Sequence, residues 1–369
     1  MLRTIATFPF WNGIAGKEVE KKLSLEIFVL SMFQKNKWIL RIGLVICLAV
    51  SFRVLSNILE YKSPHGINQT RAFYDQPKNT IDVLAVGSSH VHCGVNTATL
   101  WEEYGIAAYD LSAAEQPLWM TYYYLQEAYK YQNPKVVILD VFSPARFKED
   151  YHERWVEESV LGMHFSKTKW DMLQVSLEPE KRKELFPSFL SYHNRYTDPN
   201  KEDLVNIFGN HKGKRESKGF TPGFVRADQS QPFTAWEELE DYHLSAKSEE
   251  YLYKIMELTK AHGSELKVIV VPYNLDPRDR ITYDEISDIV SKEQIPFTDY
   301  TTLVDQMGID PANDFNDHTH LNYWGSVKFS KYLGKELQSA YQLQDKRGTK
   351  GYESWDAHVE NIRQSAEGK

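Results

Sequence analysis

On either side of residues 144–246, the sequence alternates between short apolar runs and longer segments with helical periodicity. Such alternation is typical of a parallel sheet covered by helices, because each parallel strand needs a crossover before the next. The predicted strands are residues 81–86, 107–111, 135–141, 266–271 and 296–299, and the predicted helices are residues 97–104, 117–131, 248–262, 280–292 and 323–343. We therefore expect a three-layer α/β/α, flavodoxin-like sandwich with a mostly parallel central sheet.

Residues 145–246 interrupt this alternation and are rich in Trp, Tyr, His and charged side chains. A stretch of about 100 residues is too long for a simple loop, so we predict a largely helical insertion that covers the carboxyl edge of the sheet. The chain has 369 residues, of which 42% are hydrophobic. It can therefore bury a substantial core, which we place in one domain at 80–345.

Charge and cysteine content exclude some classes of protein. The net charge is −8 and no basic stripe is interleaved with aromatic residues, which argues against a nucleic-acid surface. The chain has two cysteines, so no disulfide framework is expected. We predict no cofactor.

The most apolar stretch, residues 39–59, is about long enough for one membrane-spanning helix, which takes roughly 20 residues. Arg41 and Arg53 interrupt it near its ends, where a long basic side chain can reach the head groups. Lys35 and Lys37 precede the apolar centre, which places the N-terminus in the cytoplasm by the positive-inside rule. A buried or amphipathic helix of a soluble protein is the alternative.

The resulting domain scheme has one anchor and one body. It comprises a cytoplasmic tail at 1–37, a single-pass anchor at 38–59, a linker at 60–79, the extracytoplasmic domain at 80–345 and a polar C-terminal tail at 346–369.

Two short stretches far apart in the sequence supply the residues of a serine triad. Ser89 follows Gly87 directly after the first predicted strand, at the sheet edge where ligands bind in open α/β sheets. Asp317 and His320 are three positions apart, so a turn or helix places them on one side of the backbone. A serine needs a histidine to accept its proton and a carboxylate to orient that histidine. The sequence thus predicts Ser89 as nucleophile, His320 as base and Asp317 as its partner.

At these residues the chain resembles the SGNH/GDSL hydrolase family, in which a serine near the first strand works with a C-terminal Asp-x-x-His. Ser89 takes the position of the serine in Gly-Asp-Ser, and Ser88 replaces the aspartate. The stretch His-Leu-Asn-Tyr-Trp-Gly at residues 320–325 resembles the His-Leu-Asn-x-x-Gly ending of membrane-anchored members. The resemblance implies the three-layer fold and an acyl-serine intermediate.

Each predicted catalytic residue has a competitor nearby. Ser88 or Cys93 could be the nucleophile in place of Ser89, and His318 could be the base. Only the family motif favours Ser89 and His320 over these neighbours.

The oxyanion hole departs from the family pattern. The family usually supplies a glycine after the second strand and an asparagine after the third, but residues 110–116 contain no glycine and residues 140–144 contain no asparagine. The candidate donors are the backbone N–H groups of Ser89 and Ala114, with help from the side chains of Gln116 and Ser143. This departure is the main argument for a protein that has lost catalysis.

Two further constellations carry alternatives. In the insertion, residues 191–196 (Ser-Tyr-His-Asn-Arg-Tyr) resemble a Tyr-His-x-Arg block of anchored relatives. If this block is functional, His193 or Arg195 would bind an anionic or sugar substrate; otherwise it is a polar helix face. The pairs His90-x-His92 and His318-x-His320 could instead form a hydrolytic metal site with Asp317, although we predict no metal.

The favoured function is that of a membrane-anchored serine esterase or O-acyltransferase that forms an acyl-Ser89 intermediate. By similarity to anchored members, its substrate would be an acyl ester on a cell-envelope or exported polysaccharide, and its partner a membrane-bound O-acyltransferase. The rival is a non-catalytic docking partner of envelope-modifying machinery that keeps the fold.

Overall fold

The computed structural model describes residues 37–59, 66–152, 155–185, 217–230 and 239–369. It divides into two compact units, one of residues 1–59 with 198–210 and one of residues 60–197 with 211–369. The predicted substrate residues His193 and Arg195 lie outside the described residues, as does almost all of the predicted tail at 1–37.

The described part of the first unit is one long helix, α1, Lys37–Leu59. Its 23 residues extend about 35 Å, which exceeds the roughly 30 Å thickness of a bilayer core. Its apolar side chains are exposed, as at Leu44, Val45 and Leu48. By length and composition the stretch Lys37–Ser56 could therefore cross a membrane. The side of the membrane on which the body lies stays a prediction.

The second unit is built on a five-stranded sheet in which every pairing is parallel. The strands are β1 (Val83–Val86), β2 (Ala108–Asp110), β3 (Val136–Asp140), β4 (Glu265–Val270) and β5 (Phe297–Asp299). Their order is β2-β1-β3-β4-β5, the flavodoxin-like order, whose switch point lies between β1 and β3. The predicted three-layer α/β/α fold with a parallel sheet is confirmed.

Helices connect and flank the strands of this unit. They are α2 (Ile67–Tyr74), α3 (Ser89–Gly94), α4 (Thr97–Tyr104), α5 (Leu118–Ala128), α6 (Phe142–Arg146), α7 (Val156–Leu161), α8 (Lys167–Ser176), α9 (Arg182–Leu185), α10 (Ala246–Ala261), α11 (Arg280–Lys292), α12 (Val304–Met307), α13 (Tyr323–Tyr341) and α14 (Glu353–Ala366). The five predicted helices correspond to α4, α5, α10, α11 and α13, with ends that differ by at most three residues.

β1 and the first four residues of β3 are apolar because both faces of the sheet are covered there. All four residues of β1 and the first four of β3 are inaccessible to solvent. One core cluster joins Ala85 and Ile138 of the sheet with Val91 of α3 and Phe329 of α13. This packing fixes α3 and α13 on the same side of the sheet, near its carboxyl edge.

Two segments predicted as a linker and a tail are folded. The linker at 60–79 contains α2, whose Ile67 and Phe73 are buried. The tail at 346–369 contains α14, whose Trp355 is fully buried and donates its indole N–H to the carbonyl of Ala108 at 3.2 Å. Composition does not reveal either helix, because α2 buries polar residues such as Gln69 and Thr70 and α14 is mostly exposed.

The predicted insertion at 145–246 is helical only in part of its described length. It contains α7, α8 and α9, whereas residues 217–230 form neither helix nor strand. This extended segment bonds to the end of β2 and to α3, since Asp110 N–H donates to the carbonyl of Lys218 at 2.9 Å and Thr221 N–H donates to that of His92 at 2.7 Å. This part of the insertion therefore lies beside the carboxyl end of β2 without regular secondary structure.

Candidate active site

The strand-to-helix turn after β1 sets the position of Ser89. Gly87 has a φ of 145°, and a Cβ there would lie 2.9 Å from the Val91 side chain and 3.0 Å from Cβ of Asp140. The turn thus requires glycine. Ser88 is the N-cap of α3, and its Oγ accepts a hydrogen bond from His90 N–H at 3.4 Å. Ser89 is consequently the first residue of α3.

The triad residues lie within hydrogen-bonding distance of one another. Ser89 Oγ lies 2.7 Å from His320 Nε2, and His320 Nδ1 lies 2.9 Å and 3.0 Å from the two carboxylate oxygens of Asp317. A carboxylate at Nδ1 holds the proton on that nitrogen and leaves the Nε2 lone pair for the serine hydroxyl. The geometry is that of a Ser-His-Asp nucleophilic triad.

Asp317 is held in its ionised form by several donors. Burial raises the pKa of its carboxyl, but hydrogen bonds from His320 and Thr319 outweigh that effect and leave the pKa well below its usual range. Thr319 donates both its backbone N–H and its hydroxyl to Oδ1, each at 2.9 Å. The partner of His320 therefore stays negatively charged at neutral pH.

Hydrogen bonds among its own residues hold the loop that carries Asp317 and His320. Phe315 and Leu321 form an antiparallel bridge, and Asn316 N–H donates to the carbonyl of His320 at 2.8 Å. Asn322 caps α13 by accepting from Gly325 N–H at 3.1 Å, and its amide donates to the carbonyl of Asn313 at 2.7 Å. The residues that follow His320 in the motif thus hold the loop rather than react.

A cavity of about 600 Å³ opens over Ser89. One wall is aromatic and is formed by Phe142, Phe147 and Trp155, while residues 221–223 of the extended segment form another. Two carboxylates beyond the triad line it, Glu115 and Glu158. A side chain or acyl group bound here would meet an apolar wall beside the serine.

The four predicted oxyanion donors separate into two groups. Ser89 and Ala114 line the cavity. Gln116 is fully buried outside the cavity lining, and its amide donates to Thr121 Oγ1 at 2.9 Å. Ser143 is also buried outside the lining.

The competing nucleophiles are both unsuited to attack. Ser88 Oγ is inaccessible to solvent and faces Asp140 and His90 N–H. Cys93 lines the cavity, but burial raises the pKa of its thiol far above neutrality, so a reactive thiolate is disfavoured.

His90 and His92 each contact neighbouring protein groups. His90 is buried, stacks on Phe142 with ring centroids 3.5 Å apart, and has a pKa well below its usual value because of that burial. His92 Nδ1 lies 3.1 Å from Ser112 Oγ, whose hydroxyl donates to Asp110 at 2.8 Å. Within the described ranges, no three His, Cys, Asp or Glu side chains converge to hold a metal ion.

Several residues of the site were missed by sequence reasoning. Asp140 lies directly behind the nucleophile turn, and Trp155 and residues 221–223 complete the cavity. Asp140 could have been noticed, because a charged residue ends an apolar parallel strand at the edge where sites form. Nothing local marks Trp155 or the extended segment, whose proximity arises from the fold.

Comparisons with known proteins assign neither a family nor an activity to this chain. No family model matches the chain, and no curated protein matches it. Among solved structures it is similar to the crystal structure of a protein from Bacteroides fragilis that is assigned as an acylhydrolase. The two chains are 12% identical, the match covers 73% of this chain and 93% of that one, and the TM-score is 0.35. A likeness this distant carries no argument about activity.

Proposed function

We propose that this chain is a serine esterase or O-acyltransferase of SGNH type that works through an acyl-Ser89 intermediate. The observation that carries the proposal is the continuous contact from Ser89 Oγ to His320 Nε2 and from His320 Nδ1 to Asp317. The buried and inaccessible position of Ser88 Oγ further supports Ser89 as the nucleophile.

The reaction proceeds in two halves. Ser89 Oγ attacks the acyl carbonyl carbon while its proton passes to His320 Nε2, and the resulting tetrahedral intermediate expels the alcohol, which takes that proton from His320. In the second half His320 takes a proton from water or from an acceptor hydroxyl as its oxygen attacks the acyl-serine carbonyl carbon, and Ser89 Oγ then leaves and takes that proton from His320. Hydrolysis and transfer differ only in this second nucleophile.

The developing oxyanion would be bound by the backbone N–H groups of Ser89 and Ala114. Ser89 N–H begins α3 and therefore has no acceptor within the helix. Loss of one such donor costs roughly 3 to 4 kcal/mol of transition-state stabilisation in a serine protease. With Gln116 and Ser143 away from the cavity lining, backbone groups carry this part of the proposal.

The substrate class follows from the family resemblance alone. It is an acyl ester on a cell-envelope or exported polysaccharide, with α1 as membrane anchor, the body outside the cell and a membrane-bound O-acyltransferase as partner. His193 or Arg195 would contact the substrate. The aromatic wall of Phe142, Phe147 and Trp155 offers an apolar surface for the acyl group.

The test is covalent labelling of the detergent-solubilised full-length protein with a fluorophosphonate. We expect wild type to be labelled at Ser89, and Ser89→Ala and His320→Ala to lose labelling with circular dichroism unchanged. Ser88→Ala should still be labelled, and at Ser89, although more slowly, which distinguishes the two serines. An unlabelled but folded wild type would overturn the proposal and favour the docking role or, if metal analysis finds bound zinc, the metal hydrolase.

A further inference from the structure

One buried carboxylate joins three strand ends directly behind the nucleophile. Asp140 ends β3, is fully buried, and accepts hydrogen bonds at both oxygens. Oδ1 accepts from Val271 N–H, just after β4, at 3.1 Å. Oδ2 accepts from Phe142 N–H at 3.2 Å and, over a longer 3.5 Å, from Ser88 Oγ. Asp140 therefore connects the ends of β1, β3 and β4.

The hydrogen bonds of Asp140 and Ser88 restrain both sequence neighbours of Ser89, Ser88 and His90. Ser88 Oγ donates to Asp140 and accepts from His90 N–H, so it ties the first turn of α3 to the carboxylate. The glycine turn at Gly87 packs against Cβ of Asp140. Ser89 lies between Ser88 and His90, and its backbone has little freedom while both are held.

Asp140 is also connected to His320, through Phe142 in the cavity wall and His90. Phe142, whose N–H bonds to Asp140, stacks on His90 with centroids 3.5 Å apart and also lines the cavity. The His90 ring is in turn tilted against that of His320, with centroids 5.3 Å apart. The same carboxylate thus supports the nucleophile turn and the wall beside the base.

Burial of the Asp140 carboxyl group is unfavourable for folding, which argues that this residue does more than fill space. Among the described residues no Lys, Arg or His forms an ion pair with it, and burial raises its pKa to about 7, against the opposing effect of its three donors. A buried carboxylate without a cationic partner is unfavourable for folding. A hydrophobic residue would fill the site at lower cost but could not bind these three donors.

We propose that Asp140 is a positioning residue for Ser89: through Ser88 Oγ and the Phe142 amide it holds the turn that presents Ser89 Oγ to His320. This inference rests on the proposed function for its catalytic consequence. Its structural consequence, a rigid turn at residues 87–94, does not depend on activity.

The experiment compares Asp140→Asn, Ser88→Ala and their double variant with wild type in full-length protein. Asparagine keeps the shape but leaves an NH₂ group facing one of the donors. We expect Asp140→Asn to lower the first-order labelling step at Ser89 by roughly tenfold or more, with the fluorophosphonate dissociation constant unchanged. Ser88→Ala should slow the same step, and the double variant should be no slower than Asp140→Asn, because both changes break one path.

Asp82→Asn is the matched control, because Asp82 is a partly buried aspartate at the opposite, amino end of β1. It should label at the wild-type rate. Equal slowing in Asp82→Asn, multiplicative effects of Asp140→Asn and Ser88→Ala, or wild-type labelling of Asp140→Asn would each overturn the inference.

Hydrogen exchange separates this inference from the proposed function. In Asp140→Asn, the amides of residues 87–94 should exchange roughly tenfold faster than in wild type, while those of β5 stay unchanged. If wild type is not labelled but this change is seen, the proposed function fails and the positioning role stands. Unchanged exchange at residues 87–94 overturns the positioning role whatever the labelling shows.

Discussion

Ser89 Oγ lies 2.7 Å from His320 Nε2, although 231 positions separate the two residues in the chain. The contact depends on the packing of α13 against α3, where Ser330 in the middle of α13 donates its hydroxyl to the carbonyl of Gly94 at the end of α3, at 3.3 Å, and accepts from Asn96 N–H at 2.7 Å. Val91 of α3 and Phe329 of α13 share the same core cluster. Packing between these helices therefore determines the distance between nucleophile and base.

Replacement of the triad carboxylate should remove the orientation of His320 without unfolding the protein. In Asp317→Asn the amide can donate to Nδ1 and favour the wrong tautomer, so fluorophosphonate labelling of Ser89 should fall by roughly 10³- to 10⁴-fold. Asp305→Asn, at an exposed aspartate of α12, is the control and should label as wild type does. A loss below tenfold in Asp317→Asn would contradict a triad role for Asp317.

Asp140 should make stability depend on pH in an unusual direction. Its pKa is raised by burial to about 7, above the ordinary value of about 3.9. Between these values the folded state holds a proton that the unfolded state has lost, so this group lowers the free energy of unfolding as pH rises, by at most about 1.4 kcal/mol per unit. Above about pH 7 its effect is constant.

Other groups titrate over the same range, so the quantity to measure is the difference between wild type and Asp140→Asn, which cannot titrate at this position. Urea unfolding followed by tryptophan fluorescence from about pH 5 to about pH 8 should show wild type losing stability relative to the variant as pH rises. A difference that stays constant, or that grows in favour of wild type, would contradict a pKa near 7 for Asp140.

Gly219 should tolerate no side chain. Its φ is +91°, and a Cβ would lie 1.9 Å from the carbonyl oxygen of Asp110, which is backbone and cannot yield. Gly219→Ala should destabilise the protein by about 2 kcal/mol or more and loosen residues 217–230 over the cavity. Gly263→Ala is the matched control, with a φ of +71° but open space around the new Cβ. Thermal unfolding of both variants separates the effect of the steric clash from that of backbone strain. Equal losses of stability in Gly219→Ala and Gly263→Ala would argue against the clash.

The C-terminal helix should be needed for stability. Trp355 is fully buried, donates to the carbonyl of Ala108, and lies 3.8 Å from the ammonium of the buried Lys218. Trp355→Ala should lower the free energy of unfolding by about 3 to 5 kcal/mol, whereas Trp355→Phe should lose less because the ring still packs. The exposed Ile281 provides the control substitution, Ile281→Ala. If Trp355→Ala unfolded at the same urea concentration as wild type, α14 would not be needed for stability.

Local patterns were sufficient for the regular elements. Both faces of β1 and β3 are covered, so β1 is apolar throughout and β3 is apolar up to Asp140, and both can be recognised without tertiary information. The helix α11 begins and ends at the predicted residues 280 and 292. By contrast, α2 and α14 were predicted as linker and tail, because α2 buries polar residues such as Gln69 and Thr70 and only a few residues of α14 are buried.

For the candidate site, the sequence by itself determined which residues could react. Gly87, Ser89, Asp317 and His320 were named because their chemistry and their place at strand and loop ends are local properties. The family motif favoured Ser89 over Ser88, and their different surroundings appear only in three dimensions, where Ser88 Oγ turns inward to Asp140 and Ser89 Oγ faces His320. The same holds for Gln116 and Ser143, whose side chains lie in the core.

The tertiary structure alone decided what surrounds these residues. The contact of Asp140 with Ser88, the aromatic wall and the extended segment at 217–230 all join parts of the chain that are far apart in sequence. Such contacts depend on the order of the strands and on which connections meet at one edge of the sheet. Residue type and local periodicity carry the chemistry of a site, whereas its geometry arises from packing between distant elements.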